Sequence, residues 1–441
     1  MVSSATLKDS FVMLRRVDSK SVKSAISSAF NLGIGECVSR LATFLFFAYI
    51  SRSYGVELLG IIALAQTVAM YVTLGTDQGL RLVGARLVSR HGGSAPLIMR
   101  AVLFKRLTSC AVCVSLGCVY ALYGPVPQSA RLYILGFVLG VVPYAFSLDW
   151  LAWGLNKFAW LGGFRGGVAV TFLIGSLLGM SLAKSTLLPL TIANAFAAMA
   201  GAACLWIVWR SRWKKEVAGQ ISGTRDFIQS ELRWMAIVPL GMATILNQAF
   251  HCFDTVLLGA MSTTAEVGRY SAAYKILFLI LGVYWLLTNS LYPKLSSAKA
   301  GPTARHLLLA SLVMVATVGT ILALVACVFA PDLLRLVYGS DLGATMLLRI
   351  LLVAIPMDFC VALLTIVFVS RGLDRAILVA IGSAAATNIL FNLYLIPRYQ
   401  AMGAAWATLV SYVYLVVFLL QYTIRKPVFA SGVIAITASA T

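Results

Sequence analysis

Residues 41–50 read LATFLFFAYI, and residues 412–420 read YVYLVVFLL. Neither run contains a charge, and neither alternates polar with apolar residues as the strands of a membrane β-barrel do. A bilayer offers no water to unpaired backbone groups, so helices are the remaining structure for such runs. The two runs therefore predict membrane-spanning helices near both ends of the chain.

The composition extends this prediction to the whole chain. Of the 441 residues, 60% are hydrophobic and 11% are charged, and the mean hydropathy is +0.91. A soluble domain carries about 25% charged residues, and a spanning helix needs about 20 apolar residues. The apolar stretches predict an all-α integral membrane protein with about twelve transmembrane helices, at 25–50, 58–80, 107–123, 131–150, 166–183, 187–209, 235–260, 270–292, 307–330, 345–369, 376–396 and 401–424.

The net charge of +20 raises the alternative of nucleic-acid binding, but the cations are unevenly placed. With the N-terminus in the cytoplasm, 26 of the 35 Lys and Arg fall on the cytoplasmic side, eight fall on the other side, and Arg40 lies inside the first span. This is the positive-inside bias of a multi-pass protein. We therefore predict both termini in the cytoplasm and no nucleic-acid partner.

The longest charged gap divides the spans into two sets of six. It predicts a cytoplasmic lead-in, an N-lobe, a cytoplasmic linker, a C-lobe and a cytoplasmic tail, at 1–24, 25–209, 210–234, 235–424 and 425–441. An even number of spans makes both lobes enter the membrane in the same direction. A faint repeat agrees with this symmetry, because Glu57 to Ala63 after the first span resembles Glu266 to Ala272 after the seventh.

One charged pair lies inside the first predicted span and another lies at the inner end of the second. Ionisable groups within spans are costly and face a protein interior or a wet cavity. Glu36 and Arg40 are four residues apart, as are Asp77 and Arg81, so each pair is expected on one helix face. The pairs are interpreted either as structural ion pairs or as the lining of a hydrated cavity. In the second interpretation Arg40, helped by Arg52 at the outer end, attracts an anionic substrate.

The seventh span carries a polar stripe. Asn247, His251 and Asp254 follow spacings of four and three, with Gln248 beside them. The stripe predicts binding of sugar hydroxyls, coupling to protons or cations, or plain interhelical hydrogen bonding. Lys275, Asp358, Asn388 and Asn392 are further polar candidates inside spans, whereas Asp149 and Arg349 are expected to meet water at span ends.

Several kinds of site are missing from the sequence. It contains no G-x-x-x-x-G-K-[ST] run and no H-E-x-x-H pair, the motifs of phosphate loops and of zinc proteases. The predicted outer loops are short, which leaves little room for a catalytic platform. We therefore predict no catalytic residue, no cofactor and no metal, and a function other than that of an enzyme.

A family resemblance is carried by loose motifs in order along nearly the whole chain. They are Ala48 to Gly55 followed by Gly60 and Ala63, Asp254 to Gly259, Glu266 to Lys275, Tyr292 to Leu295, Leu336 to Gly339, and Leu395 to Pro397 before Gly403 to Ala405. In these motifs the chain resembles the Wzx-type polysaccharide flippases of the multidrug/oligosaccharidyl-lipid/polysaccharide exporter superfamily.

The resemblance implies two six-helix lobes around a central cavity that opens alternately to the two membrane faces. It implies transport of an oligosaccharide repeat unit, linked by pyrophosphate to undecaprenol, across the bacterial inner membrane for exopolysaccharide or O-antigen assembly. Its implied partners are this lipid-linked oligosaccharide, membrane lipids, a polysaccharide polymerase and a chain-length regulator. The cationic residues carried into a substrate-binding role are Arg40, Arg52, Arg269 and Lys275.

Three alternatives stay open. A cation-coupled multidrug exporter of the same fold would use Asp77, Asp254 and Asp358 as ion sites. A membrane polysaccharide polymerase would need a larger outer loop than the sequence provides. A scaffold without transport would not need paired charges in its spans.

Overall fold

The computed structural model describes residues 19–183, 185–217, 231–297 and 301–425, and the regular elements within these ranges are helical. The helices are α1 (Ser19–Asp77), α2 (Leu80–Arg90), α3 (Ala95–Tyr123), α4 (Gln128–Leu139), α5 (Val141–Ala145), α6 (Asp149–Gly154), α7 (Phe158–Leu182), α8 (Leu187–Val208), α9 (Lys214–Val217), α10 (Trp234–Met261), α11 (Thr264–Ser297), α12 (Pro302–Val328), α13 (Ala330–Tyr338), α14 (Thr345–Leu352), α15 (Ile355–Ser370) and α16 (Asp374–Arg425). The predicted lead-in, linker and tail lie partly outside the described residues, at 1–18, 218–230 and 426–441.

Two very long helices each contain a pair of predicted spans. In α1 the backbone breaks at Gly55, with φ 84° and ψ −178°, between the spans predicted at 25–50 and 58–80. In α16 it breaks at Gln400, with φ 52° and ψ −131°, between the spans predicted at 376–396 and 401–424. The breaks fall in the predicted loops, so these four spans are confirmed as separate helical segments.

Seven of the described segments are long and apolar enough to cross a membrane, and α1 and α16 account for two of them. The predicted spans at 235–260 and 270–292 correspond to α10 and α11, which are 28 and 34 residues long but carry polar residues. All predicted spans therefore coincide with helical structure. The all-α membrane fold is confirmed.

Two predicted spans are interrupted helices and not continuous ones. The segment 131–150 consists of α4, α5 and α6, and the segment 345–369 consists of α14 and α15. Pro143 lies in α5 and Pro356 lies in the first turn of α15. Proline has no backbone N–H to continue the helical hydrogen bonds of the preceding turn, which accounts for the break between α4 and α5 and for the one between α14 and α15.

The chain divides into two compact units that differ from the predicted lobes. The first unit contains the described residues up to Phe46 with Gly75–Val114 and Leu139–Gly241, and the second contains Phe47–Leu74, Ser115–Val138 and the described residues from Met242 onward. The second unit therefore combines segments from both halves of the sequence. The lobe boundaries remain a prediction.

Inside the second unit, the two copies of the sequence repeat meet. A Cβ atom on Gly60 would lie 1.9 Å from the carbonyl oxygen of Thr264, and one on Gly268 would lie 2.0 Å from that of Val56. Both glycines therefore allow α1 and α11 to touch backbone to backbone, as small residues do between membrane helices. The repeat seen in the sequence marks this helix crossing.

Inside the first unit, α2 and α6 pack against each other. A Cβ atom on Gly84 would lie 2.7 Å from the Trp150 ring, so the glycine makes room for the buried indole. This packing places Arg81 at the start of α2 beside Asp149 at the start of α6.

Candidate functional site

The most unusual group in the second unit is the carboxylate of Asp254, which is fully buried on α10. Its Oδ2 accepts hydrogen bonds from the Tyr270 hydroxyl at 2.6 Å and the Thr408 hydroxyl at 2.8 Å. Its Oδ1 accepts one from Asn392 Nδ2 at 2.5 Å. Three neutral donors from α11 and α16 therefore surround one carboxylate.

This carboxylate has no cationic neighbour in the described part of the chain. No Lys, Arg or His nitrogen of that part lies within 4.0 Å of it. Asn392 also donates to Asn388 Oδ1 at 3.0 Å, and both asparagines are fully buried. The cluster is thus rich in oxygen atoms and formally negative, a composition suited to a hard cation or a proton.

The polar stripe of α10 runs from exposed to buried. Asn247 is exposed, His251 is half-buried and Asp254 is buried. The Tyr412 hydroxyl lies 3.4 Å from His251 Nδ1 and also interacts with the buried carboxylate of Asp358. The stripe therefore joins a second buried carboxylate through one tyrosine.

Lys275, on α11, lies against an aromatic ring. Its Nζ is 3.4 Å from the centroid of the buried Phe47 ring, a cation–π contact. Among the described residues no carboxylate forms an ion pair with it. The half-buried ammonium group therefore keeps hydrogen-bonding capacity for an anion.

Two arginines of the family motifs, Arg52 and Arg269, bind backbone carbonyls. Arg52 donates from Nε to the Val337 carbonyl at 3.0 Å and from Nη2 to the Leu336 carbonyl. Arg269 donates from Nε to the Leu342 carbonyl at 3.1 Å. Both guanidinium groups thus hold the same segment, from the end of α13 into the following loop.

Two further contacts fix this segment and its surroundings. Arg269 also pairs with Glu266, whose other carboxylate oxygen accepts the Ala401 amide at 3.4 Å. The Tyr338 hydroxyl donates to the Ala272 carbonyl at 3.1 Å, and burial raises the pKa of Tyr338 above its usual value. The predicted substrate role of the two arginines remains a prediction, with part of each guanidinium already engaged.

The first unit contains a second buried cluster, made of two acids and two arginines. Arg106 on α3 is fully buried, with Nη2 2.9 Å from Asp77 and Nη1 3.6 Å from Asp149. Its Nη1 also donates to the Ser147 carbonyl at 2.8 Å. Arg81 completes the cluster, with Nε 3.4 Å from Asp149.

This cluster corrects two expectations. Asp77 and Arg81 do not lie on one continuous helix, because α1 ends at Asp77 and Gly79 adopts a left-handed φ of 84° before α2 begins. Each residue therefore has a different ion-pair partner. The expectation that Asp149 meets water is also wrong, since it is 2% exposed.

Glu36 and Arg40 form the predicted contact on α1, but it is long. Arg40 Nε lies 3.6 Å from Glu36 Oε1, whereas Arg165 Nη1 lies 2.8 Å from Glu36 Oε2. The side chain of Arg40 is 56% exposed. The main ion-pair partner of Glu36 is therefore Arg165 on α7, and the guanidinium group of Arg40 is largely free.

Sequence reasoning missed several members of these clusters. Arg106 was not singled out, because it precedes the predicted span at 107–123 by one residue. Tyr270 and Thr408 were not singled out, although Thr408 is a polar residue in an otherwise apolar run. A helical-wheel comparison of polar residues across all spans would have marked Thr408, but not its contact with Asp254.

The chain resembles known proteins of polysaccharide biosynthesis in its sequence. Residues 26–299 match the model of a family described as polysaccharide biosynthesis protein. A protein of Escherichia coli (strain K12) that carries the name O-antigen transporter is 21% identical over 397 residues, which cover 83% of this chain and 88% of that protein. A protein of the same name from Shigella dysenteriae is 20% identical and covers 86% and 95%.

Solved structures show the same fold. The lipid II flippase MurJ in an inward closed conformation matches with a TM-score of 0.69 and 14% identity, covering 90% of this chain and 87% of that one. An inward-facing multidrug resistance MATE family transporter of the MOP superfamily matches with a TM-score of 0.68 and 14% identity, covering 92% and 100%. At such identities the likeness establishes the fold alone.

Proposed function

Because this chain belongs to the polysaccharide biosynthesis protein family and has the fold of membrane transporters, we propose that it is a flippase for lipid-linked oligosaccharides. Its cargo is an oligosaccharide repeat unit on undecaprenyl pyrophosphate. It moves this unit from the inner to the outer leaflet of the bacterial inner membrane by alternating access, with both termini in the cytoplasm. A polysaccharide polymerase and a chain-length regulator act after it.

The observation that carries this proposal is the match to two proteins named O-antigen transporters over most of both chains. Such a cargo needs a transporter, because moving a pyrophosphate and many hydroxyl groups from water into hydrocarbon has a large free-energy cost. A wet path with cations along it lowers that cost, while the polyprenyl chain stays in the lipid. Transport, without covalent chemistry, is sufficient for this task.

The described cations suggest which residues hold the pyrophosphate. Arg40 and Lys275 form no close, buried ion pair, so each has donors to offer an anion. Arg52 and Arg269 contribute positive potential from the predicted outer end, and Asn247 and His251 offer hydrogen bonds to sugar hydroxyls. The residues proposed for cargo binding are thus those predicted from the sequence, with Arg40 and Lys275 first among them.

Coupling is assigned to the buried carboxylates. Asp254 has three neutral donors and no cationic partner among the described residues, so binding of a proton or a metal cation would cancel its charge. Asp358 is linked to the same helix through Tyr412 and His251. Glu36, Asp77 and Arg81 already have partners of opposite charge, so we give them a structural role.

The test is the leaflet distribution of lipid-linked repeat units after deletion of the gene. Accumulation of these units on the cytoplasmic leaflet, reversed by the wild-type gene, is the expected result. Complete, unpolymerised units on the outer leaflet would contradict the proposal and indicate a polymerase. Normal polysaccharide with increased sensitivity to drug cations would indicate a multidrug exporter.

The site assignment is tested in the same strain. Arg40→Ala and Lys275→Ala should each lower export, because each removes a cation from the cargo path. Arg335→Ala is a matched control, since Arg335 is an exposed cation on α13. Unchanged export by both test variants would remove Arg40 and Lys275 from the site.

A further inference from the structure

A cleft in the second unit has no role in the proposed transport path. It has a volume of about 510 Å³, within the about 300–1,000 Å³ typical of ligand sites. It lies where the loop between α3 and α4 meets the loop between α10 and α11. Its lining consists of Gly124, Pro125, Val126, Pro127, Arg131, Gly259, Ala260, Ser262, Thr263 and Thr264.

The cleft is electropositive. Among the described residues, Arg131 is the one charged residue that lines it, and no carboxylate does. The nearby acid Glu266 is engaged by Arg269 and by the Ala401 amide. An anion in the cleft would therefore meet a cation without a competing negative charge.

Two buried donor groups at the cleft have no partner among the described residues. They are Arg131 Nε and Ser262 Oγ. A buried donor without an acceptor costs about 1–3 kcal/mol, and an acceptor supplied by a ligand would remove that cost. Guanidinium and hydroxyl donors together match the oxygen atoms of a phosphate.

The cleft wall is held in place by its own backbone. The amide of Gly124 donates to the Tyr120 carbonyl at 2.9 Å, and the amide of Ala130 donates to the Pro127 carbonyl at 2.9 Å. Pro125 and Pro127 restrict the loop between these bonds. The loop that precedes Arg131 is thus restrained by these bonds and by the two prolines.

Two residues adjacent in sequence to the cleft lining are apolar and exposed. Tyr123, next to Gly124, is 82% exposed, and Leu132, next to Arg131, is 59% exposed. Both loops lie on the side predicted to face outward, at the end of membrane spans, where lipid headgroups meet the protein. A ligand with a phosphate head and an acyl or prenyl tail fits this arrangement better than a free phosphate ion.

We propose that the cleft around Arg131 and Ser262 binds the phosphate group of a lipid in the outer leaflet. Two lipids share this chemistry, namely an anionic phospholipid of the membrane and an undecaprenyl pyrophosphate after its delivery. Arg131 pairs with the phosphate oxygens, Ser262 donates to them, and the tail leaves over Tyr123 and Leu132. The site is separate from the proposed coupling cluster, so its test does not depend on transport.

The test is native mass spectrometry of the purified full chain in detergent with equal amounts of added lipid. The probes are phosphatidylglycerol, undecaprenyl pyrophosphate and zwitterionic phosphatidylcholine. At least one of the two anionic lipids should be retained over phosphatidylcholine, and Arg131→Gln should weaken that retention by about tenfold or more, as expected for loss of charge-assisted bonds. The anionic lipid that is retained more strongly identifies the source of the phosphate.

The controls separate the site from general surface charge. Arg335→Gln removes another exposed cation and should leave retention unchanged, whereas Ser262→Ala should weaken it less than Arg131→Gln does. Thermal unfolding of each variant shows that the fold is intact, and Ser262→Ala decides the matter if Arg131→Gln does not fold. Equal retention of both anionic lipids by wild type and Arg131→Gln, or equal retention of phosphatidylcholine, would overturn the proposal.

Discussion

The two buried charge clusters of this protein are built on opposite plans. In the first unit, Asp77 and Asp149 face Arg106 and Arg81, so positive and negative charges are equal in number. In the second unit, Asp254 is surrounded by hydroxyl and amide donors and by no cation of the described chain. The formal charges of the first cluster cancel, whereas those of the second leave one negative charge among the described residues.

This difference separates structure from coupling. A balanced buried cluster loses stability when one partner is removed, because the remaining charge is left in a medium of low polarity. A buried carboxylate without a cationic partner is stabilised when a proton or a cation binds to it. Such a group can link ion binding to a conformational change. Both clusters would look alike in a count of charged residues inside spans.

The largest effect on stability is expected from Arg106→Met. The substitution leaves the carboxylates of Asp77 and Asp149 with the partly exposed Arg81 as their remaining cation. Breaking a buried pair in this way costs about 3–5 kcal/mol. Thermal unfolding in detergent should show a large fall in unfolding temperature or loss of folded protein.

Arg100→Met is the matched control for that experiment. Arg100 lies on the same helix, α3, but its side chain is exposed. Its replacement should leave the unfolding temperature nearly unchanged. An Arg106→Met protein as stable as wild type would show that the first cluster does not hold the unit together.

Asp254→Asn should have the opposite signature, with a large loss of transport and little loss of stability. The asparagine keeps an acceptor oxygen for Tyr270 and Thr408. If Asn392 and Asn388 both turn their amides, the third contact and the bond between these two asparagines are restored. We expect a free energy of unfolding within about 1 kcal/mol of the wild-type value. Export should be lowered by at least about tenfold. Both are measured in a deletion strain and on the purified variant.

Asp332→Asn provides the control for Asp254→Asn, since Asp332 is an exposed acid on α13. Its export should equal that of wild type. If Asp254→Asn exported normally, the second cluster would be structural like the first, and the comparison between the clusters would fail.

Tyr270→Phe sharpens the same comparison at a smaller scale. The variant removes the 2.6 Å bond to Asp254 and leaves the carboxylate with two of its three donors. Loss of one hydrogen bond to a buried charge costs about 1–3 kcal/mol. The fall in unfolding temperature should lie between those of Asp254→Asn and Arg106→Met. An unfolding temperature equal to that of wild type would mean that the bond from Tyr270 to Asp254 does not stabilise the fold.

The smallest effect on stability is expected from Arg40→Ala. Its contact with Glu36 is 3.6 Å long and exposed, and Glu36 keeps the closer Arg165. Exposed ion pairs contribute about 0–1 kcal/mol, so the unfolding temperature should stay near that of wild type. Arg165→Ala should lower it more, and the reverse order would show that the pair on α1 is the stronger one.

The sequence predicted the helical fold because apolar length and charge asymmetry act along the chain. The breaks at Gly55 and Gln400 fall in the predicted loops for the same reason. The interruptions near Pro143 and Pro356 were missed, although the prolines themselves were visible signals. Apolarity alone does not distinguish a continuous helix from one that is broken inside the membrane.

The clusters were only partly predictable. Asp254 was predicted as a polar residue within an apolar run, and Asp77 and Arg81 were predicted as a pair at the inner end of the second span. Their partners were not, because Arg106 and Thr408 come from helices distant in sequence and burial depends on how these helices pack. Gly79 redirected Arg81 to Asp149, an effect of one left-handed residue that helical spacing cannot show.

Transport by the purified protein tests the central claim most directly. The measurement uses vesicles that contain an undecaprenyl-pyrophosphate-linked oligosaccharide and an added reagent that modifies sugars only on the outer face. In vesicles with the wild-type protein, more of the lipid-linked oligosaccharide from the inner leaflet should become accessible to the reagent over time than in protein-free vesicles. In vesicles with Asp254→Asn, far less should become accessible than with the wild-type protein. Equal exposure in wild-type and protein-free vesicles, with the protein shown to be folded, would contradict the assignment as a flippase.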